Sequence, residues 1–175
     1  MFAGAAGGIA GTLAMNPAQR LWTLIVDGAP PESAAGQHDA RDWQERNENQ
    51  NSNELAAQAL ARLVLKRTLT RRELAVAAPV IHFSFGAAVG ALYGTYMKRR
   101  TATRQSGAAL GVALWFIADE VAMPLLGLSG STLERPVEMH VQSLAAHLVY
   151  GLVAERVRRV SDGFLNEDDM VGAAT

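Results

Sequence analysis

Four long apolar blocks constrain the fold of this chain more than any other feature. They cover residues 2–26, 74–97, 106–128 and 137–154, while residues 30–53 contain almost no apolar side chains. An α-helix needs about 20 apolar residues to cross roughly 30 Å of hydrocarbon, and each block reaches or approaches that length. The sequence therefore predicts an all-α fold, a bundle of four transmembrane helices.

A soluble four-helix protein is the alternative interpretation of the same blocks. Soluble amphipathic helices carry a charged stripe every three to four residues, yet residues 76–97 contain no charged side chain and a single histidine, His82. Most of the 16 glycines also lie in the blocks, where each would weaken a soluble helix by about 1 kcal/mol relative to alanine. Both features favour a membrane protein, in which small residues let helices approach closely.

Composition divides the chain into segments. Residues 1–29 are predicted to form the first transmembrane helix, and residues 30–53, rich in Asn, Gln and charge, a polar loop. Leucines at helical spacing opposite Arg and Lys predict an amphipathic helix over 54–72 in the headgroup region, and a helix that caps the bundle through protein contacts is equally compatible. The other three transmembrane helices fall within residues 73–160, and residues 161–175 form a polar C-terminal tail.

Glycines spaced by four residues mark one face of the predicted spanning helices. This spacing lets a neighbouring backbone come close enough for dispersion contacts to hold the helices together. We predict that the glycine face is buried and that it carries His82 and Asp119 toward the interior. The predicted packing residues are Gly7, Gly11, Gly86, Gly90, Gly94, Gly107 and Gly111.

The short phrase His-x-x-aromatic-Gly occurs twice, at residues 82–86 and 147–151. In each half of the chain it follows a glycine-bearing helix with a proline in its later part, Pro17 or Pro124. The repetition suggests a duplicated helical hairpin whose copies are related by an axis along the membrane normal. A chance resemblance of two five-residue phrases is the alternative.

Ionisable residues on four different helices fall at nearly one predicted depth. Counted from the side of the long loop at about 1.5 Å per residue, they lie ~9 to ~15 Å from their helix ends. Such groups are costly in a membrane unless the protein interior receives them. We therefore predict one polar cluster, with the opposite half of the bundle mostly Gly, Ala, Leu and Tyr93. The predicted layer consists of Arg20, His82, Asp119, Glu120 and His147.

Proton chemistry is the simplest use of this layer, because burial moves carboxylates and histidines toward the neutral range. We expect a proton-responsive or proton-conducting membrane protein. The alternatives are a scaffold or assembly subunit, whose polar layer fixes helix register, and a protein that binds haem through His82 and His147 or a divalent metal with Glu120 as a further ligand.

The remaining expectations concern activity and partners. The chain has no cysteine and no nucleophile, phosphate-loop or metal motif, so neither enzyme activity nor a cofactor is predicted. A formal net charge of −1 argues against a nucleic-acid partner. The predicted partners are the lipid bilayer and either a second copy of the chain or a membrane complex.

An ordered set of motifs runs through most of the chain outside residues 32–53. It consists of His82, Tyr93-Gly94, Gly107 with Gly111, Met123-Pro124-Leu125-Leu126-Gly127-Leu128, and His147 with Tyr150, Glu155 and Arg158-Arg159, preceded by Pro30-Pro31. This set resembles the YagU-like inner-membrane proteins of bacteria. The resemblance implies a multi-pass protein of the bacterial inner (cytoplasmic) membrane, with no assigned biochemical activity and a link to survival in acid. Asp119 and Glu120 stand where histidine is expected in relatives, which leaves the role of the third spanning helix open.

Overall fold

The computed structural model of the chain describes residues 2–27, 52–97, 104–126 and 135–172. Every regular element in these ranges is a helix, and they contain no strand. The prediction of an all-α fold is therefore confirmed. The polar loop predicted at residues 30–53 lies outside the described residues, except for its last two positions.

The described ranges form five helices. The first stays helical past Pro17, and the last continues through most of the segment 161–175 that is predicted to be a tail. The fourth changes its helical type along its length. The helices are α1 (Phe2–Asp27), α2 (Ser52–Val64), α3 (Arg71–Met97), α4 (Arg104–Trp115, then Phe116–Ala122 and Met123–Leu125) and α5 (Val137–Gly172).

A tight connection separates α2 from α3, so the structure divides the helix predicted over residues 54–72. Lys66 has a φ of 53°, in the left-handed region that ends helices. Thr70 and Glu73 then form a capping box, in which the Glu73 N–H donates to Thr70 Oγ1 at 3.3 Å and the Thr70 N–H donates to Glu73 Oε2 at 2.7 Å. The Gln58 side chain also bonds the backbone of the connection. These bonds fix the start of α3.

The two central helices of the bundle are α1 and α5. They pack against each other, α3 packs on α1, and α4 packs on α5. All three interfaces are antiparallel: on α1, for example, Gly7 faces Ala154 of α5 and Gly11 faces Tyr150. We call the end at which α1 finishes and α3 and α5 begin the loop end, and the opposite end the glycine end.

The predicted symmetry of two hairpins is only partly formed. The pairs α1/α3 and α4/α5 are both antiparallel hairpins. A two-fold axis along the membrane normal would also require α3 to pack on α4 as closely as α1 packs on α5. Over the described residues α3 and α4 have no such interface. The hairpins are therefore joined through one interface rather than two equivalent ones.

The interior is built from small residues, and the outside is apolar. Most of the buried apolar side chains are alanines, with Met15 and Tyr150 as the large exceptions. Helices in contact through small residues are typical of membrane bundles, where hydrophobic burial gives no drive for association. Large apolar side chains more than two thirds exposed occur on all four long helices, and they include Phe2, Leu24, Leu92, Leu125 and Val137.

Two of the described helices are long and apolar enough to cross a membrane, judged by length and composition alone. They are Arg71–Met97 and Gln105–Leu125. Because core helices of soluble proteins can pass the same test, this is weak support for a membrane protein. Neither α1 nor α5 meets the criterion, since polar residues such as Asn16 and Gln19 on α1 and His140 and Gln142 on α5 lower the mean hydropathy of their apolar stretches. The predicted count of four spans is thus not reached on this criterion.

Candidate functional site

A π-helical segment of α4 carries both predicted carboxylates, Asp119 and Glu120. It spans Phe116–Ala122, and at its end the Met123 N–H donates to the Ala118 carbonyl, five residues earlier. The segment ends just before Pro124, which cannot donate a backbone hydrogen bond. Widened turns of this kind occur often at functional sites, because they change the direction of side chains. Here both carboxylates reach α5.

Asp119 meets a serine and a histidine of α5. The Ser143 hydroxyl donates a short hydrogen bond to Asp119 Oδ2. His147 Nδ1 donates to the backbone carbonyl of Ser143 at 2.9 Å and lies 3.9 Å from Asp119 Oδ2. The carbonyl selects the neutral tautomer with the hydrogen on Nδ1, so Nε2 is the nitrogen that would accept a proton. This nitrogen has no hydrogen-bond partner among the described residues.

Glu120 pairs with a histidine that is not part of the predicted layer. His140 Nδ1 and Glu120 Oε1 are 2.7 Å apart, and both side chains are largely buried. His140 lies one turn before Ser143 and two turns before His147, so these three residues share the face of α5 that meets α4. That seven-residue spacing is the sequence signal that could have included His140.

A polar cavity of about 600 Å³ lies beside this cluster, between α1, α4 and α5. Its lining residues on α1 are three and four residues apart, so they lie on one side of that helix. The lining residues on α5, which are Met139, Gln142 and Ser143, have the same spacing and lie on one side of α5. The polar side of α1 thus faces the polar side of α5 across the cavity. The lining residues are Asn16, Gln19, Arg20, Asp119, Arg135, Met139, Gln142 and Ser143.

The five residues of the predicted layer lie in the loop-end half of the bundle but play different parts there. Arg20 and Asp119 line the cavity, His147 lies beside Asp119, and Glu120 turns to His140. His82 lies on α3 within electrostatic range of His147 and Asp119. It forms no hydrogen bond with the part of the chain that the structure describes, and its ring packs edge-on to Phe83.

At the glycine end of the bundle, helix backbones touch. A methyl group at Gly8 would collide with the carbonyl of Gly86, and one at Gly107 would lie 2.8 Å from the carbonyl of Gly151. These two carbonyls belong to the last residues of the repeated His-x-x-aromatic-Gly phrase. All seven glycines of the predicted packing set are buried against a neighbouring helix.

The two copies of the repeated phrase also touch directly. Tyr150, the aromatic residue of the second copy, donates its hydroxyl to the carbonyl of Gly86, the last residue of the first copy, at 2.7 Å. The tyrosine ring crosses Gly11 of α1, where a side chain would collide with it. Tyr150 therefore connects α5 to α3 across α1.

A second charged cluster lies at the glycine end, on the part of α5 that follows the fourth apolar block. The Glu155 carboxylate is only 1% exposed and accepts two hydrogen bonds from Arg158, at 2.9 and 3.0 Å. Arg159 lies 3.2 Å from Glu155, and Asp162 accepts from Arg158 at 2.6 Å. Hydrogen bonding to Glu155 raises the pKa of Arg158 above its usual range, although burial opposes this. The spacing of three residues between Glu155 and Arg158 is the sequence signal that could have predicted this ion pair.

Metal ligation is not favoured by this arrangement. No group of three or more His, Asp or Glu side chains that could hold a metal ion occurs in the described ranges. The metal set considered from the sequence, His82, His147 and Glu120, is not assembled, because Glu120 pairs with His140.

Sequence comparison places the chain in a family. Residues 45–156 match the profile described as Protein of unknown function (DUF1440). The chain belongs to the DUF1440 family. The matched region includes α2, α3, α4 and most of α5, and therefore the Asp119, Glu120, His140, Ser143 and His147 cluster. The comparisons found no match among curated proteins and none among solved structures. The likeness to the YagU-like proteins remains a resemblance.

Proposed function

We propose that this DUF1440 protein is a four-span protein of the bacterial inner membrane whose loop-end cluster of His and carboxylate groups gains and loses protons. The observation that carries the proposal is the contact of Asp119 with Ser143 and His147 at the edge of a polar cavity. The link to survival in acid, implied by the YagU-like resemblance, agrees with such a role.

The direction of the polar side chains supports four spans. On α1 the polar residues Asn16 and Arg20 line the cavity, while Leu13 and Leu24 are exposed on the outside. The same division holds on α5, where Ser143 lines the cavity. The polar residues that lower the hydropathy of these two helices thus gather at one open cavity, and the remaining exposed positions are mostly apolar.

Access to water supports proton exchange. The cavity of about 600 Å³ has room for on the order of ten or more water molecules. Asp119 lines it directly, and His147 lies next to Asp119. A titratable pair can exchange protons only if a donor or acceptor reaches it, and cavity water would serve. Imidazole is the side chain that changes charge between about pH 5 and 8.

Ionisable groups lie near Asp119 and His147 on every helix packed around them. They are Arg20 on α1, His82 on α3, Glu120 on α4 and His140 and Arg135 on or just before α5. Acid would add positive charge to a cavity that already holds two guanidinium groups. Repulsion would then favour a rearrangement of the cavity lining, which is a direct route from proton binding to a response.

The test uses purified protein in liposomes that contain a pH-sensitive dye, with tryptophan fluorescence as a second readout. We expect the proton flux, or else the pH-dependent fluorescence change, to fall at least tenfold in Asp119→Asn and His147→Gln. The matched control is Asp162→Asn, a carboxylate 40% exposed at the glycine end. If both variants of the pair keep the flux and the fluorescence change of the unaltered protein, the proposal is wrong.

The scaffold alternative loses one of its arguments. A scaffold subunit would use its glycine faces to dock helices of other proteins. Within the described residues these faces are covered by the helices of the chain itself, as where Gly8 lies on Gly86 and Gly107 on Gly151. The partners, including the lipid bilayer, stay a prediction.

A further inference from the structure

The polar cavity has a second property that proton exchange does not use. Of the lining residues that the structure describes, two carry a guanidinium group, Arg20 and Arg135, and one carries a carboxylate, Asp119. Asp119 already accepts from Ser143 and lies beside His147. Arg20 forms no hydrogen bond or ion pair with any residue that the structure describes. Among the described lining residues, guanidinium groups therefore outnumber carboxylates by two to one.

The neutral side chains of the lining add further donors. Asn16, Gln19 and Gln142 each carry an NH₂ group in addition to a carbonyl oxygen. Asn16, Gln19 and Arg20 lie on one side of α1, and Gln142 approaches from α5. Amide and guanidinium groups thus line the cavity from two helices, and guanidinium groups bind carboxylate and phosphate with two parallel hydrogen bonds.

We propose that this cavity binds an oxyanion, the phosphate or carboxylate group of a small ligand, between Arg20 and Arg135. Its volume of about 600 Å³ lies within the range of roughly 300–1,000 Å³ that is usual for ligand sites. The site lies at the loop end, where lipid headgroups would be near, and basic pockets between spanning helices bind lipid phosphates. The phosphate of an anionic lipid and a free anion share the same recognition chemistry.

The charge of Asp119 predicts the direction in which the affinity for an anion will change. Its negative charge opposes an anion in the same cavity, so removal of that charge will strengthen binding. The inference goes beyond the proposed proton function and does not need it, because the excess of guanidinium groups exists whether or not Asp119 and His147 titrate.

The experiment is a calorimetric titration of the full-length protein, in nanodiscs of phosphatidylcholine, with inorganic phosphate. We expect saturable binding that weakens about tenfold or more in Arg20→Gln, since a hydrogen bond between charged groups is lost. Arg20→Lys will bind more weakly than the unaltered protein and more tightly than Arg20→Gln. Asp119→Asn will bind several-fold more tightly, a gain that a misfolded variant could not give. The matched control is Arg156→Gln, an exposed arginine on the part of α5 at the glycine end.

A second arm distinguishes the sources of the oxyanion. If phosphatidylglycerol added to the nanodiscs competes with inorganic phosphate, the site takes a lipid headgroup; if it does not compete, the site takes a soluble anion. Binding that is not saturable, or that is equal in the unaltered protein and Arg20→Gln, would overturn the inference. If the unaltered protein conducts protons but does not bind phosphate, the anion site is wrong and the proton function stands. If it binds phosphate but shows no proton response, the proton function is wrong and the anion site stands.

Discussion

At the glycine end of this bundle helix backbones touch, whereas at the loop end the same helices stand apart around a cavity of about 600 Å³. On α1 the change occurs within a few residues, since Gly11 contacts Tyr150 and Asn16 already lines the cavity. Backbone contact needs residues without side chains, and glycines occupy the contact positions of α1 only up to Gly11. The distribution of glycine therefore decides where the bundle is closed and where it can admit water.

The two ends also differ in how far their carboxylates are buried and paired. Glu155, at the glycine end, is 1% exposed and is bonded by Arg158 on both oxygens. Asp119, at the loop end, is 25% exposed and lines a cavity. A buried, fully paired carboxylate keeps its partner, while an accessible one can exchange protons or ligands. The glycine-end cluster is therefore buried and paired, whereas the loop-end cluster, on which the proposed function rests, is accessible.

The largest expected effect is the loss of the buried carboxylate at the glycine end. Glu155→Ala leaves the Arg158 guanidinium buried without its main partner, and we expect a loss of about 3–5 kcal/mol in the free energy of unfolding. Unfolding in mixed micelles with rising SDS, followed by tryptophan fluorescence, measures it. The control is Asp162→Asn, an exposed partner of the same arginine, for which less than about 1 kcal/mol is expected. Equal losses in the two variants would contradict the structural role of Glu155.

Backbone contact at the glycine end gives the next effect. Gly8→Ala directs a methyl group at the carbonyl of Gly86, so α1 and α3 must separate, at a cost of about 1–3 kcal/mol. The same assay measures it. Gly163→Ala is the matched control, because nothing lies within 4 Å of the added methyl group, and it will stabilise α5 by up to about 1 kcal/mol. Were Gly8→Ala as stable as Gly163→Ala, the close contact would be refuted.

A smaller effect is expected where the two repeated phrases meet. Tyr150→Phe removes the hydroxyl that bonds the Gly86 carbonyl and leaves the ring in place, for a loss of about 1 kcal/mol. Denaturation of this variant beside the unaltered protein gives the comparison. No difference between the two would show that the bond contributes nothing to the bundle.

The smallest effect on stability is expected at the cavity. Arg20 is exposed and forms no bond with the described residues, so Arg20→Gln will change the free energy of unfolding by no more than about 0.5 kcal/mol. Its effect will appear in phosphate binding instead. A loss of stability as large as that of Glu155→Ala would mean that the two ends of the bundle do not differ in the way described.

Much of this arrangement could be predicted from single helices. The apolar blocks predict the four long helices, and the spacing of Gly86, Gly90 and Gly94 predicts a buried face, because both are properties of one helix with 3.6 residues per turn. Counting residues from the helix ends also gathered Arg20 and Asp119 into one half of the bundle. The partner of Glu120 was not predictable in this way, since the π-helical turns of α4 change the direction of its side chains.

The amino-acid sequence by itself determined the helices, their glycine faces and the level of the ionisable groups, since composition and periodicity act within one segment of the chain. Only the tertiary structure decided that α1 and α5 are the central helices, that Glu155 and Arg158 are buried at the glycine end, and that Arg20 faces Asp119 across a cavity. The physical reason is that contact between helices depends on where backbones can approach. That position is set jointly by glycines on both members of a pair, such as Gly107 and Gly151.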